Sequence, residues 1–319
     1  MRMAISYLES IVVGALQGVS ELFPVSSLGH SILLPALVGG KWADDLNMSA
    51  KDSPYLALLV AMHVATAIAL VVFFWRDWVR ILTGLWDVAR SRQIRSPEAQ
   101  LGVLLIIATI PVGLAGLVLE KAVRNYLGTP IPTSAFLALN GVVLLSAELL
   151  RKRENQRNLV LSSPTARTVD LSAEDTLVLP TTDPDHASDV RLSRLSVKSV
   201  LIIGSAQIAA LFPGISRSGS TIVAGLFKGM RHEDAARFAF LLATPVILAA
   251  GVLKTPELFK PENHDILGPA LAGSVVAGLL AYVSVKFLVS YFETKTLTPF
   301  AIYCLVVGVG SLAYFSIKG

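Results

Sequence analysis

Six apolar runs, each about as long as a membrane-spanning helix, constrain the fold of this chain more than any other feature. A helix that crosses the hydrocarbon core of a bilayer needs roughly 20 predominantly apolar residues. Charged residues make up 16% of the chain, whereas soluble globular domains carry about 25%. The sequence therefore predicts an all-α integral membrane protein that crosses the bilayer several times. The predicted spans are residues 54–75, 101–119, 131–150, 236–254, 266–289 and 298–316.

Two further apolar regions, residues 4–40 and 199–228, are interrupted near their middles by Pro24 and Pro213. Serine and glycine follow both prolines. Proline lacks an amide donor and glycine frees the backbone, so a continuous helix is disfavoured at both places. Each region is predicted to be a re-entrant helical hairpin, which enters and leaves the bilayer on the same side. Because irregular backbone inside a membrane must be buried in protein or line a wet cavity, the two turns should face each other.

A short repeat relates the two interrupted regions. At an offset of 190 positions the matching pairs are Gln17 with Gln207, Ser26 with Ser216, and Gly29 with Gly219. Three predicted spans follow each hairpin. A hairpin does not change sides and three spans do, so the second half begins on the opposite side of the membrane from the first. The sequence thus predicts two inverted-topology repeats, residues 1–150 and 199–319, joined by a polar linker at 151–198.

Basic residues are concentrated in the loop at 76–98 and in the linker at 151–198, and the opposite loops carry fewer. The positive-inside rule places this loop and the linker in the cytoplasm and both chain termini outside. The first hairpin then enters from outside and the second from inside. The linker is rich in Ser, Thr, Asp and Pro, so we expect a partly disordered insertion, with a small folded lobe as the alternative. The net charge of +4 requires no nucleic-acid partner, since the basic residues cluster between apolar runs.

The first interruption carries candidates for a metal site and for a nucleophile. Gln17 and Glu21 are four residues apart and share a helix face, and their oxygen atoms suit a hard cation such as Mg²⁺ or Ca²⁺. An intramembrane carboxylate usually marks a functional pathway or pairs with another polar group, so the alternative is a structural hydrogen-bond network between helices. Of Ser26 and Ser27, one is expected to cap the following helix. His30, three residues after Ser27, is the candidate base.

The second interruption, Pro213–Gly219, has the sequence PGISRSG and is expected to bind an anion. Arg217 lies at membrane depth among hydroxyls and glycines, where a new helix begins. Free helix amides, a guanidinium and hydroxyls together suit phosphate. The alternative is that Arg217 neutralises Glu21, and the two roles can alternate with substrate. The residues predicted to bind substrate are Ser26, Gly214, Ser216, Arg217, Ser218, Gly219 and Thr221.

Other polar residues in the apolar runs are given no catalytic role. His63, Asn140 and Glu148 are interpreted as packing or interface groups. Cys304 is the single cysteine, so neither an intramolecular disulfide nor a thiolate metal site is expected.

At these motifs the chain resembles the undecaprenyl-diphosphatase family, membrane phosphatases associated with bacitracin resistance. The family's acid or Gln followed four residues later by Glu matches Gln17 and Glu21, and its Pro-Val-Ser-Ser…Gly-His matches residues 24–30. Its Pro-Gly-x-Ser-Arg-Ser-Gly motif matches Pro213–Gly219 without a gap. The resemblance covers both halves and excludes only the linker. Many members have Glu where Gln17 stands, so the negative charge at the metal site is lower here. Many also have Thr where Leu28 stands, so one hydroxyl is missing.

The resemblance implies a hydrolase of the bacterial inner membrane that converts undecaprenyl diphosphate to undecaprenyl phosphate and phosphate. This reaction recycles the lipid carrier of cell-wall synthesis. We expect metal-assisted phosphoryl transfer, in which Glu21 and Gln17 hold the cation and Arg217 neutralises the phosphates. Ser27 is the candidate nucleophile with His30 as its base, and attack by a water activated by His30 is the alternative.

The substrate's polyprenyl tail should lie in the lipid bilayer, while the diphosphate enters a pocket that opens toward the extracytoplasmic side. A polyprenyl-phosphate flippase that uses the same anion site is the rival function, since inverted repeats with broken helices also characterise transporters. The sequence leaves the oligomeric state open, a homodimer included.

Overall fold

A computed structural model describes residues 5–48, 53–161 and 184–318, and these ranges contain helices and no strand. The first-half α-helices are α1 (Tyr7–Ser20), α2 (Ser27–Val38), α3 (Lys41–Asp45), α4 (Pro54–Phe73), α5 (Trp75–Ser91), α6 (Pro97–Leu127) and α7 (Pro130–Leu161). The later ones are α8 (Pro184–Ser193), α9 (Val197–Ala206), α10 (Arg217–Phe227), α11 (His232–Leu258), α12 (Leu267–Thr294) and α13 (Thr298–Lys318). Short 3₁₀ helices occupy Gln207–Leu211 and Pro261–Ile266. The predicted all-α class is confirmed.

Each of the six predicted membrane spans coincides with one long apolar helix, although the first span, 54–75, extends two residues beyond the end of α4 at Phe73. In the described part of the chain, the helices that are long and apolar enough to cross a bilayer cover 54–73, 97–119, 130–153, 232–256, 263–294 and 298–318. The largest differences at helix starts are four residues each, in α6, which begins at Pro97 rather than at 101, and in α11, which begins at His232 rather than at 236. Proline fits the first helical turn, whose amides have no intrahelical acceptor, so the polar residues after Pro97 join the helix. The multi-pass membrane class is thus consistent with the structure.

The two interrupted regions form pairs of helices that are individually too short to cross a bilayer. α1 has 14 residues and α2 has 12, so at 1.5 Å per residue they are about 21 Å and 18 Å long, against a hydrocarbon core of about 30 Å. The helical conformation is broken at residues 21–26 and again at 212–216. Ser26 and Ser216 then cap α2 and α10, and each accepts a hydrogen bond from the glycine amide three residues later, at 3.2 Å and 3.1 Å. Matched caps therefore stand at the positions that the sequence repeat pairs.

Helices from the two halves of the chain pack directly against each other through small residues. α1 lies against α12, where a Cβ atom on Gly14 would be 2.2 Å from the carbonyl oxygen of Gly273. α7 lies against α13, where a Cβ atom on Gly308 would be 2.4 Å from the amide nitrogen of Ala138. Small residues allow such close backbone approach, which is how helices associate in membranes without a hydrophobic driving force. The two hairpins are held in place by this interlocked bundle.

Helices α5 and α8 occupy regions that the sequence predicted as loop and linker. Arg237 of α11 donates hydrogen bonds to Asp77 of α5 at 2.7 Å and to Asp189 of α8 at 2.8 Å. All three side chains are buried. The contact brings α5, from the basic loop, and α8, from the linker, together at the first turns of α11. Residues 162–183, the middle of the linker that we expect to be partly disordered, lie outside the described residues.

Candidate active site

The turns of the two hairpins contact each other, as predicted. The Gly214 amide donates to Ser26 Oγ at 3.2 Å, and Ser218 Oγ donates to the Phe23 carbonyl at 3.2 Å. A Cβ atom on Gly29 would lie 3.0 Å from Gly214 Cα, so the two backbones meet with little space between them. Each turn thereby satisfies part of the other's irregular backbone, which a membrane interior requires.

Asn140 of α7 holds both turns at once. Its Nδ2 group donates to the Pro24 carbonyl at 3.0 Å, and its Oδ1 atom accepts from the Ser216 amide at 3.1 Å. The side chain is 2% exposed. From the sequence alone, Asn140 is interpreted as a packing group. The structure shows that its side chain links the two turns, one on each side of the site.

Glu21 lies between the hairpins and accepts hydrogen bonds from both. Its Oε1 atom accepts from the Arg217 guanidinium at 2.6 Å. Its Oε2 atom accepts from the Ser27 hydroxyl at 2.5 Å and from the Gln17 amide at 2.8 Å. His63 of α4 places Nε2 3.3 Å from the same Oε2 atom. The carboxylate therefore touches the candidate nucleophile and the candidate anion-binding group together, and its pairing with Arg217 is the arrangement weighed above as the alternative to phosphate binding.

Ser27 and Arg217 occupy equivalent places in the two hairpins. Ser27 is the first residue of α2, and Arg217, 190 positions later, is the first residue of α10. Both residues line the same cavity. The amino-terminal end of a helix carries a partial positive charge and free amides, so both helices favour an anion at this point.

His30 makes its hydrogen bonds away from Ser27. Its Nδ1 atom lies 2.7 Å from the Ser26 carbonyl oxygen, and its Nε2 atom lies 2.7 Å from the Tyr303 hydroxyl. The imidazole turns back along α2, so its Nδ1 atom pairs with the carbonyl of Ser26 and not with the hydroxyl of Ser27. The structure thus gives Ser27 a carboxylate partner, Glu21, where the sequence predicted an imidazole.

The hydroxyls of Ser216 and Thr221 make hydrogen bonds within α10. Ser216 caps α10, and Thr221 Oγ1 donates to the Arg217 carbonyl at 2.8 Å. Ser26, Ser216 and Arg217 line the cavity, whereas Gly214, Ser218, Gly219 and Thr221 do not. The sequence motif is therefore a mixture of residues that face the cavity and residues that shape the turn.

The cavity has a volume of about 300 Å³, and its wall combines a few polar and charged side chains with a larger apolar lining. Glu21, Ser27, His63, Gln207 and Arg217 lie in its wall. The rest of the lining is mainly apolar and comes largely from α4, α6 and α11, including Leu56, Val60, Val112, Val246, Ile247 and Ala250. A site of this kind suits an amphiphile with a charged head and an apolar tail.

His63 and Gln207 are site residues that the sequence did not assign. The signal was available for His63, because an ionisable residue inside an apolar run is a functional candidate by default. Gln207 enters the sequence analysis only as the position that matches Gln17, and no motif around it indicates a functional role for its side chain.

The residues predicted to hold a metal ion provide few ligands of their own. The described residues contain no group of three or more His, Cys, Asp or Glu arranged to hold a metal. Glu21 is the one carboxylate at this place, and the Oε1 atom of Gln17 is buried without a hydrogen-bond partner among the described residues. One carboxylate and one unpartnered amide oxygen fit a hard cation that takes its remaining ligands from substrate phosphates, which is how proteins commonly bind Mg²⁺.

Comparison with known proteins gives full-length matches. The family model described as "Bacitracin resistance protein BacA" matches residues 10–310. The chain is 56% identical to a protein named undecaprenyl-diphosphatase from Mycolicibacterium paratuberculosis, over 98% of this chain and 99% of that one. It is 55% identical to the undecaprenyl-diphosphatase of Mycobacterium avium over the whole of both chains. It is 45% identical to undecaprenyl-diphosphatase 1 of Frankia casuarinae, over 98% of this chain and 99% of the other.

Proposed function

The chain belongs to the bacitracin resistance protein BacA family, and we propose that it hydrolyses undecaprenyl diphosphate to undecaprenyl phosphate and inorganic phosphate. The observation that carries this proposal is that Glu21 lies between Ser27 and Arg217 in the wall of the cavity. A hydroxyl, its proton acceptor and a guanidinium in contact are the groups that phosphoryl transfer requires. The relatives' names supply the substrate, and the apolar part of the cavity suits the first carbons of its polyprenyl tail, with the rest of the tail in the bilayer.

Ser27 attacks the terminal phosphorus of the diphosphate. Its hydroxyl already donates to Glu21 Oε2, so the carboxylate takes the proton as the new P–O bond forms. The bond from that phosphorus to the bridging oxygen breaks, and undecaprenyl phosphate leaves with the electron pair. Water then hydrolyses the seryl phosphate and restores the hydroxyl. Direct attack by a water that gives its proton to Glu21 is the second route, and replacement of Ser27 separates the two.

Arg217 neutralises the charge that the transferred phosphoryl group develops. Its NH1 group donates to the Ala243 carbonyl at 3.1 Å while NH2 contacts Glu21. The carbonyl holds the guanidinium in the cavity wall, so it can exchange its carboxylate partner for a phosphate oxygen without leaving its place. Pairing with Glu21 and binding of phosphate are then successive roles of one side chain.

His63 orients and supports Glu21. Its Nδ1 atom lies 2.7 Å from the Leu59 carbonyl oxygen, which can only accept, so Nδ1 carries a proton. The Nε2 atom consequently faces the carboxylate and can share a proton with it. His30, the base expected from the sequence, has the Ser26 carbonyl and Tyr303 as its partners, and its part in the reaction remains a prediction.

A divalent cation, Mg²⁺ or Ca²⁺, completes the proposed chemistry. Glu21 and the unpartnered amide oxygen of Gln17 would hold it, and when bound it neutralises diphosphate charge. Because Gln17 is neutral, the protein contributes one negative charge to this site, and the substrate must contribute the rest. Addition of a chelator should therefore weaken substrate affinity, which a phosphate-release assay measures.

We place the cavity mouth on the extracytoplasmic face of the inner membrane. The cavity reaches Leu56 near the start of α4 and Lys254 near the end of α11. The charged contacts of α5 and α8 involve Asp234 and Arg237, at the opposite end of α11. If the basic regions are cytoplasmic, as the positive-inside rule directs, the cavity opens outward. We also propose that residues 1–150 and 199–319 form inverted-topology repeats, which the matched caps of α2 and α10 support. A homodimer is a further proposal, and cross-linking in membranes would detect it.

Purified protein in detergent should release phosphate from undecaprenyl diphosphate, and Glu21→Ala and Arg217→Ala should each abolish this release while still inserting into membranes. Full activity in either variant would contradict the proposed site. The flippase alternative makes a different prediction, because a transporter has no gradient to use in detergent and releases no phosphate.

A further inference from the structure

A buried glutamine in the cavity wall has no partner for its amide. Gln207 begins the 3₁₀ helix that leads into the second turn, and its side chain is 1% exposed. Neither Oε1 nor Nε2 has a hydrogen-bond partner among the residues that the structure describes. Buried amides almost always have partners, because the hydrogen bonds they lose to water must be replaced. Since Gln207 lines the same cavity as Arg217, its missing partner is best sought in a ligand of that cavity.

The matching glutamine of the first hairpin shows why Gln207 is left over. Gln17, 190 positions earlier, donates to Glu21, four residues after it, at 2.8 Å. Four residues after Gln207 stands Leu211, which lines the cavity and offers no acceptor. The second hairpin has therefore kept the amide and lacks the carboxylate that would occupy it.

The other charged groups of the cavity do not compete for this amide. Glu21 accepts from Gln17, Ser27 and Arg217, and Arg217 also donates to the Ala243 carbonyl. Among the residues that the structure describes, none supplies an acceptor for Gln207, so a ligand of the cavity is the remaining source. In a cavity that contains a guanidinium, the acceptor that fits is an anionic oxygen.

We propose that Gln207 binds the diphosphate group of the substrate, its Nε2 amide donating a hydrogen bond to a phosphate oxygen beside Arg217. The inference rests on the proposed function and adds a neutral donor to the anion site. A neutral hydrogen bond made equally to bound substrate and to the transition state affects KM and leaves kcat nearly unchanged. Gln207 is thus distinguished from Glu21, whose loss should affect kcat.

Gln207→Met, which keeps the length of the side chain and removes its polar atoms, is the first test. Phosphate release from undecaprenyl diphosphate should show KM raised roughly tenfold and kcat within about twofold of the wild type. The unfolding temperature measured without substrate should stay the same or rise, because an unpartnered buried amide has been removed. The matched control is Gln100→Met at an exposed position of α6, which should change neither quantity.

Two outcomes would overturn the inference. An unchanged KM in Gln207→Met would show that the amide does not meet the substrate. A lowered unfolding temperature with unchanged KM would show that Gln207 serves the fold. If Gln207→Met does not fold, Gln207→Glu takes its place, and it should raise KM more than tenfold through repulsion between its carboxylate and the diphosphate.

Inorganic phosphate separates this inference from the proposed function. Phosphate should raise the unfolding temperature of the wild type, and Gln207→Met should show a smaller rise at the same concentration. If the wild type is stabilised by phosphate more than Gln207→Met but releases none from undecaprenyl diphosphate, the proposed reaction is contradicted and the anion contact at Gln207 is still supported. Equal stabilisation of wild type and variant would contradict the contact itself.

Discussion

Replacing Glu21 by glutamine should tighten the binding of inorganic phosphate while it removes turnover. In the structure the Glu21 carboxylate holds the Arg217 guanidinium at 2.6 Å, with both side chains largely buried. Phosphate can use Arg217 fully only by replacing this carboxylate, which then repels it. Glu21→Gln keeps the size of the side chain and removes the charge that competes with phosphate.

The magnitude follows from the charge separation. Two unit charges about 4 Å apart attract each other by about 4 kcal/mol at an effective dielectric constant of about 20. If phosphate recovers about a third of that attraction, its dissociation constant falls about tenfold. The Ser27 hydroxyl, which donates to Glu21 at 2.5 Å, loses its proton acceptor in the same variant, so kcat should fall by about 10²–10⁴.

The two effects require two assays. Phosphate binding is measured by calorimetry in the presence of a chelator, because Glu21 is also a proposed metal ligand and its loss would otherwise change cation binding. Turnover is measured as phosphate release with the cation present. Glu293→Gln, at an exposed acid on α12, is the control and should change neither value. Phosphate binding that is weaker in Glu21→Gln than in the wild type under chelation, or a kcat within threefold of the wild type, would refute this reasoning.

Three other substitutions test separate parts of the structure. Ser27→Ala should reduce phosphate release more than a hundredfold and abolish acid-stable phosphoserine in quenched reactions, whereas substantial residual release would favour direct attack by water. Asn140→Leu leaves two backbone groups of the turns unpaired, so the free energy of unfolding should fall by roughly 2–5 kcal/mol, seen as a lower unfolding temperature; an unchanged temperature would show that the turns hold without it. Asp234→Asn removes the bidentate pair with Arg191, whose Nε and NH2 donate at 2.8 Å and 2.7 Å, so hydrogen exchange in α8 should quicken while turnover is retained. Unaltered exchange would mean that α8 is held by other contacts.

The architecture was predictable because its signals are long and redundant. Each membrane span is encoded by about 20 residues, so a few polar positions such as His63 or Asn140 do not hide it. The breaks at residues 21–26 and 212–216 were predictable for a different reason, since Pro24 and Pro213 exclude a continuous helix in segments whose halves are too short to span. Amphipathic α5 was missed because its alternation of apolar and basic residues resembles a loop when only long apolar runs are sought.

The pairing of side chains within the site was less predictable, because it depends on directions that spacing does not fix. Ser27 and His30 are three residues apart and share a helix face, yet the imidazole turns back to the Ser26 carbonyl and the hydroxyl turns to Glu21. His63 approaches Glu21 from another helix, and sequence distance gives no hint of that contact. Contacts between different helices, such as that of His63 with Glu21, therefore require the three-dimensional arrangement of the helices. Contacts within one motif can be predicted only in part from the spacing of residues along the sequence.

The two hairpins divide the proposed chemistry because equivalent positions carry different side chains. At the first residue of the outgoing helix, one hairpin has the hydroxyl of Ser27 and the other the guanidinium of Arg217. Four residues after the shared glutamine, one has the carboxylate of Glu21 and the other the apolar side chain of Leu211. Both differences give the first hairpin a group that acts on the proton. In the second hairpin, Arg217 binds the anion, and Leu211 leaves the Gln207 amide free to bind it. Exchanging a pair, as in Leu211→Glu, should therefore add a competing carboxylate beside Gln207 and weaken phosphate binding, although the fold of the turn is kept. Unchanged phosphate binding in that variant would show that position 211 does not decide which hairpin binds the anion.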